Sequence, residues 1–493
     1  MSTVSSAPLP DIPSSAFIDP SGRNRQQIEA LMAQVLSLLL SELTQAEGLS
    51  PLPEALPLDT LQDWAQIPVQ SVETDVLLAQ VRSQLQHAMN AAHPGYIGHM
   101  DSIPTTMSMI GDLLVAALNN NMLSVEMSPV FSRLEPLVLR QIAERFGLGP
   151  SAGGVLVSGG SLANLQALTV ARNVAFDAVK TGVVGLARQP VFFVSEVAHT
   201  SMQKAAMMMG LGSQAAVGVR TNANSQMDIR DLKDKIVRSQ QSGQHPFAVV
   251  ATAGTTVTGN IDPIEEIGHI AKAHDLWFHV DAAYGGALIF SETYRDKLAG
   301  TAAADSVTFN PQKWLYVTKT CAAVLFKNMD VLKQHFRILA PYMGDDAQWP
   351  NLGELTVQGT RHPDILKLWL SLQHLGAAGY DAIIRHNYAL CDRFVQLVKA
   401  RSFLQLASEP QMNLVCFRIA PAGMEGDMCD RLNTALQNHL LASHAPRDAV
   451  FLSLPIYRRQ RWLKAVLLNP YTSLQTLENL FERIDAFAQL NLI

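Results

Sequence analysis

The sequence predicts an α/β fold: a large domain on a mainly parallel sheet covered on both faces, with a helical segment before it and a smaller α+β unit after it. Two observations carry this. Between residues 104 and 375, short β-branched or apolar runs bounded by Gly, Asn or Asp alternate with longer amphipathic stretches. From residue 376 onward the alternation gives way to one long helical stretch, three strand-like pieces and a final helix. With 493 residues, 48% hydrophobic and 16% charged, the chain can hold two or three structural units around a sizeable core, which excludes a disordered tail protein.

In chain order, residues 1–20 form a Ser- and Pro-rich leader without the basic start and apolar core of a signal peptide or the Arg-rich pattern of a transit peptide, so a cytoplasmic location is expected. Residues 24–47 pattern as a helix. Their most apolar part, 31–40, is broken by Gln34 and Ser37 and is about half the length of a membrane span, so no membrane partner is expected. Pro51, Pro53 and Pro57 mark a linker, because proline removes the donors a helix needs. A second helical stretch, 72–92, leads into the loop HPGYIGHM, whose small, aromatic and imidazole side chains suit a pocket wall. The expected strands of the large domain are 154–157, 191–194, 247–251, 276–280, 306–309 and 322–326. The last unit is expected to contain a helix over 380–400, strands over 413–419, 450–454 and 462–468, and a helix over 474–490. The expected division is 1–95, 96–375 and 376–493.

Lys and Arg number 37 against 43 Asp and Glu, a net charge of -6 from interspersed residues with no basic run, so no nucleic-acid partner is expected. Cys321, Cys391, Cys416 and Cys429 lie far apart with no C-x-x-C spacing, which reads as reduced core cysteines and no metal site.

In parallel sheets ligands gather at the carboxyl ends of the strands, and the chemistry-bearing residues follow the predicted strands there. In VLVSGGSLANLQAL, Gly159, Gly160 and Ser161 form a turn into a helix whose free amides attract an anion such as phosphate. The same stretch nearly spells a nucleophile elbow, which leaves open an α/β-hydrolase using Ser161 with a late His439 or His444. His199, shortly after the second strand, is flat enough to stack on a ring and can carry protons. Asp281 ends the apolar strand LWFHVD. A carboxylate there is costly to desolvate unless it has a partner, and a protonated pyridine nitrogen is one, with Ala282 and Ala283 leaving room for a flat ring. Lys313 lies between Asn310-Pro311 and Trp314 rather than among charges, so its amine is desolvated and loses its proton more readily, as a Schiff-base lysine requires. Together these residues read as a site for pyridoxal 5'-phosphate.

The series HPGYIG, NNNMLSVEMSPVFSRLE, SGGSLANLQAL, AHTSMQKA, TAGTTVTGNIDPI, HVDAAYGG, NPQKW, TVQGTRHPDILKLW and LLNP resembles, in order and spacing, the group II pyridoxal-dependent amino acid decarboxylases, from about residue 90 to Pro470. That family includes glutamate, aromatic amino acid, cysteine sulfinate and diaminobutyrate decarboxylases. The resemblance implies a fold-type I, aspartate-aminotransferase-like homodimer with active sites at the subunit interface. It implies that His199 stacks on the cofactor, Asp281 binds the ring nitrogen, Lys313 is the Schiff-base residue, and Thr252 and Ala283 border the ring. Where relatives carry His before the lysine this chain has Gln312, which can donate to phosphate but cannot titrate. Tyr342 is the tyrosine nearest the position of the relatives' mobile-loop proton donor, and Lys464 stands where relatives often carry a carboxylate-binding Arg, with Arg361 a second anion contact. The implied reaction converts an L-amino acid to its amine and carbon dioxide. Alternatives are aldehyde formation with oxygen, a carbon–carbon lyase on the same cofactor, or a non-catalytic cofactor-binding protein. Lys464 and Arg361 tilt the substrate toward an acidic or polar side chain, with the loops at 96–100 and 119–124 shaping specificity.

Overall fold

The computed structural model describes residues 12–341, 344, 349–443 and 445–492. They form two compact units: Met1–Tyr96 with Leu436–Phe451 and Tyr471–Ile493, and Ile97–Ala435 with Leu452–Pro470. This differs from the three consecutive domains expected. Long-range hydrogen bonds explain part of the difference: the Tyr316 hydroxyl donates to the Leu468 carbonyl at 2.6 Å and the Asn413 amide to the Leu467 carbonyl at 3.1 Å, drawing the late strands into the large unit.

The first unit contains helices Arg25–Thr44, Leu58–Trp64, Thr74–Gln86 and Leu474–Asn491. The last starts at a capping box between Ser473 and Thr476 and buries Leu477, Leu480, Phe481, Ile484 and Phe487, the three-to-four spacing of one apolar face. Tyr96 stacks on Phe451 with centroids 5.5 Å apart.

The larger unit is built on a seven-stranded sheet. In chain order its strands are β1 (Gly153–Val157), β2 (Pro190–Ser195), β3 (Ala216–Val219), β4 (His245–Thr252), β5 (Trp277–Ala282), β6 (Ser306–Phe309) and β7 (Ala322–Phe326), and their spatial order is β1-β7-β6-β5-β4-β2-β3. β7 alone runs against its neighbours. Phe192, Phe193, Val249, Val250, Val280 and Val307 are inaccessible, so near-continuous apolar runs are what a sheet covered on both faces requires. β3 escaped the sequence reading because it is four residues long and interrupted by Gly218. The stretch 450–454, expected as a strand, holds only isolated bridges at Phe451 and Ser453.

Beyond the sheet, helix Ile365–Lys399 begins before the expected residue 380 and is interrupted at Gly376, whose φ of 64° breaks the helical geometry. β8 (Leu404–Leu406), β9 (Leu414–Ile419) and β12 (Leu463–Val466) make a three-stranded antiparallel sheet, while β10 (Ile456–Tyr457) and β11 (Gln460–Arg461) form a hairpin.

Candidate active site

The parallel register sets three residues side by side where β4, β5 and β6 end: Thr252 opposite Asp281, and Asp281 opposite Thr308. Asp281 is 4% exposed. Its Oδ2 accepts from the Asn164 amide at 3.0 Å and its Oδ1 from the Ala283 backbone N–H at 3.1 Å, donors that offset the loss of water around a buried carboxylate. Asn164 is held in turn, donating to Ser201 Oγ at 3.0 Å and accepting from Thr308 Oγ1 at 2.7 Å.

Lys313 follows β6 after the Asn310-Pro311 turn, its backbone N–H donating to the Asn310 carbonyl at 3.1 Å. Its neighbours are locked. Trp314 is inaccessible, stacks on Tyr284 and donates to Asn387 Oδ1 at 2.7 Å, an oxygen the Tyr316 hydroxyl also reaches at 3.1 Å. Burial pushes the Lys313 amine below the ordinary lysine range, against the opposing pull of Asp281 and Asp101. Burial also lowers His199, whose charge balance is set by Asp281 on one side and by Lys313 and Lys204 on the other. The Ser201 N–H donates to His199 Nδ1 at 3.1 Å, so that nitrogen carries no proton and Nε2 does.

Between β1 and helix Gly160–Phe176, Gly159 takes a φ of 99°, and a Cβ on Gly160 would sit 2.8 Å from the Asn310 amide nitrogen. The left-handed φ requires glycine at 159, a side chain at 160 would press on the Asn310 amide, and the first-turn amides, which have no carbonyl of the helix to bond, open beside exposed Ser161. Thr252 Oγ1 and Asn310 Oδ1 are buried without a hydrogen-bond partner among the described residues. Gln312 Oε1 accepts from the Cys321 N–H at 2.6 Å, which turns its amide hydrogens into donors for another acceptor. These groups fit pyridoxal phosphate: donors for a phosphate, a carboxylate for a protonated ring nitrogen, an amine for the carbonyl and unpaired polar atoms at the ring's edge.

Lys464, on β12, is 6% exposed; its Nζ donates to the Thr256 carbonyl at 3.3 Å, and among the described residues it makes no ion pair. Burial lowers its pKa; Cys416 and Asp101 oppose the shift and Lys313 adds to it. Thr256 also lines a cavity of about 510 Å³ with His199, Thr200, Val257, Arg458 and Arg459. His99, in the loop read as a pocket wall, lies within electrostatic reach of Lys464.

Arg361 is a correction. Its guanidinium grips Glu135 through two bonds of 2.7 and 2.6 Å, with both residues buried, and Glu135 Oε1 also accepts from the Leu156 N–H. The charge is neutralised by a carboxylate that ties helix Phe131–Arg145 to β1, so Arg361 is a structural ion pair and not a substrate contact. Tyr342 and His444 lie outside the described residues. The sequence reading missed Asn164, Ser201, His279 and Thr308. A legible signal was the polar residue at every second position of otherwise buried strands, WFHVD and SVTF.

The chain is similar to known proteins over most of its length. Residues 57–420 match the model of the pyridoxal-dependent decarboxylase conserved domain. The chain is 32% identical to an L-2,4-diaminobutyrate decarboxylase of Acinetobacter baumannii over 82% of each protein, and 32% identical to an L-aspartate decarboxylase of Metarhizium robertsii over 88% of each. The structure of mouse CSAD in apo form superimposes with a TM-score of 0.86 at 27% identity, covering 94% of this chain and 99% of that one.

Proposed function

Since the chain belongs to the pyridoxal-dependent decarboxylase family and is a pyridoxal-phosphate-dependent amino acid decarboxylase, we propose that its substrate is a short acidic L-amino acid of the aspartate class. The observation that carries this reading is Lys464, a buried cation with no ion pair among the described residues, within electrostatic reach of Lys313. A carboxylate on the substrate side chain supplies the missing counter-charge, whereas a cationic side chain such as that of diaminobutyrate brings like charges together. Arg458 and Arg459 on the wall of the neighbouring cavity favour an anion in the same way. Family membership also removes the hydrolase reading of Ser161.

When bound, pyridoxal phosphate supplies the electron sink into which the bond to the departing carboxylate drains. In the proposed arrangement the chain's residues hold, orient and move protons. The Gly160 and Ser161 amides, the Ser161 hydroxyl and the Gln312 amide hold the phosphate, while Asp281 accepts the ring N–H. Thr252 and Ala283 border the ring and His199 stacks on its face, with its proton on Nε2. Lys313 would hold the cofactor through its amine, which burial keeps below the usual lysine range and so more readily unprotonated. Lys464 would hold the distal carboxylate of an acidic substrate and leave the α-carboxylate free to depart. Tyr342 is proposed as the donor that protonates Cα. A homodimer with interfacial sites completes the proposal, supported by the apolar Met32, Leu36 and Leu40 that helix Arg25–Thr44 leaves exposed. A cytoplasmic location is supported by four cysteines that are all free and buried.

The test is mass spectrometry of products from cofactor-loaded protein given aspartate, glutamate, cysteine sulfinate, diaminobutyrate and aromatic amino acids. The expected product is the amine of an acidic substrate, β-alanine from aspartate, with turnover reduced by roughly 10³-fold or more in Lys313→Ala. Amine from diaminobutyrate or the aromatic substrates alone overturns the substrate class. Aldehyde with peroxide would replace the amine-forming reaction, and full turnover in Lys313→Ala would remove that lysine from the mechanism.

A further inference from the structure

Beneath Asp281 runs a chain of buried polar groups that the mechanism above leaves unused. Trp277, His279 and Asp281 occupy alternate positions of β5 and so share one face, and the register sets Ser306 of β6 opposite His279. The Trp277 indole N–H donates to Ser306 Oγ at 2.8 Å, and the same oxygen lies 2.8 Å from His279 Nδ1. His279 Nε2 lies 3.0 Å from Asn164 Oδ1, and the Asn164 amide nitrogen lies 3.0 Å from Asp281 Oδ2. His279 and Ser306 are inaccessible and Asn164 is 2% exposed.

The carboxylate fixes the direction of every bond, and the indole is compatible with it. At one end, a carboxylate only accepts, so Asn164 turns its NH₂ to Asp281 and its oxygen to His279. The imidazole nitrogen facing that oxygen must then carry the proton, which leaves Nδ1 as an acceptor from the Ser306 hydroxyl. At the other end, an indole only donates, so it takes one lone pair of Ser306, and the unprotonated Nδ1 accepts that hydroxyl's hydrogen. The two ends agree. Burial holds His279 neutral, with its pKa lowered to about 4, as a relay with one proton on the ring requires.

We propose that Trp277, Ser306, His279 and Asn164 are positioning residues that form a one-way hydrogen-bond relay, delivering a fixed donor to Asp281 and setting the plane of its carboxylate toward the cofactor's ring nitrogen. Each bond polarises the next toward the carboxylate, and the Ala283 N–H holds the second oxygen, so one orientation of Asp281 is preserved whatever substrate is bound. This rests on Asp281 as the partner of the ring nitrogen.

The relay is tested with ¹⁵N-histidine NMR on the cofactor-loaded protein at neutral pH, alongside kinetics of Trp277→Phe and Ser306→Ala. The His279 resonances are identified by their loss in His279→Gln. The expected wild-type spectrum shows His279 protonated on Nε2 alone. Each variant is expected to keep the proton on Nε2, which Asp281 dictates through Asn164, while the Nδ1 resonance moves as its donor is weakened or lost, with kcat lower by about tenfold at unchanged KM, the cofactor still bound and its visible absorption shifted. Ser306→Thr, which keeps the hydroxyl, is expected to restore the wild-type Nδ1 resonance. A proton on Nδ1 in the wild type, or variants with an unaltered Nδ1 resonance and kcat, overturns the relay. Either variant suffices if the other fails to fold. Loss of kcat in Asp281→Ala with no change in the relay variants removes the relay alone; full kcat in Asp281→Ala removes the reading of the site beneath it.

Discussion

The two ends of the site are built on opposite terms. Around Asp281 the polar side chains Asn164, Ser201, His279 and Thr308 hydrogen-bond with one another or with the carboxylate, and all but the edge of the aspartate is out of reach of water. Thr252 Oγ1 beside Asp281 and Asn310 Oδ1 beside Gly160 are buried and unpaired where the cofactor would lie, and toward β12 Lys464 makes no ion pair among the described residues, while Arg458 and Arg459 take left-handed φ values of 49° and 63° at a hairpin turn. A saturated network holds one geometry regardless of what arrives, whereas unspent donors and a buried cation are satisfied only by a ligand. Under the proposed function, the Asp281 end would serve the chemistry common to any amino acid and the Lys464 end the choice among amino acids.

The comparison breaks in different places under different substitutions. The largest effect is expected for Asp281→Ala, where loss of the fixed charge at the ring nitrogen lowers kcat by roughly 10³-fold for every substrate while KM changes little. Next is a stability effect confined to the saturated end. His279 has a folded pKa of about 4 against an ordinary 6.5, so the unfolded chain binds its proton first as pH falls. Its contribution is fully present above pH 6.5 and lost on the way down to pH 4, about 3 kcal/mol in all. Urea midpoints measured across that window are expected to fall in the wild type and to fall less steeply in His279→Gln; equal slopes would show that the imidazole is not buried neutral. The smallest effect is expected for Lys464→Met, which raises KM for an acidic substrate about tenfold and leaves kcat near its wild-type value.

The same divide explains what could be read from the sequence. Asp281 stood out as a lone charge closing an apolar run, Lys313 as a lone cation in the short loop after another, and the Gly159-Gly160 turn because a strand runs into a helix there. Strands β6 and β7 were read with their observed bounds because their apolar runs end in Asn or Lys. Asn164 was not legible: it sits inside a helix, and its meaning comes from the register of β5 and β6, which brings residues 117 and 144 positions away within 3.0 Å. Arg361 was misread for a related reason. Its partner Glu135 lies 226 residues earlier, and a cation whose counter-charge is that distant in sequence looks available.

The most direct measurement is a paired determination of kcat and KM for Asp281→Ala and Lys464→Met on aspartate and on an amino acid with an uncharged side chain. The division of labour predicts that Asp281→Ala loses kcat on both substrates alike, and that Lys464→Met raises KM on aspartate alone. A substrate-dependent loss in Asp281→Ala, or an equal KM change on both substrates in Lys464→Met, would contradict it.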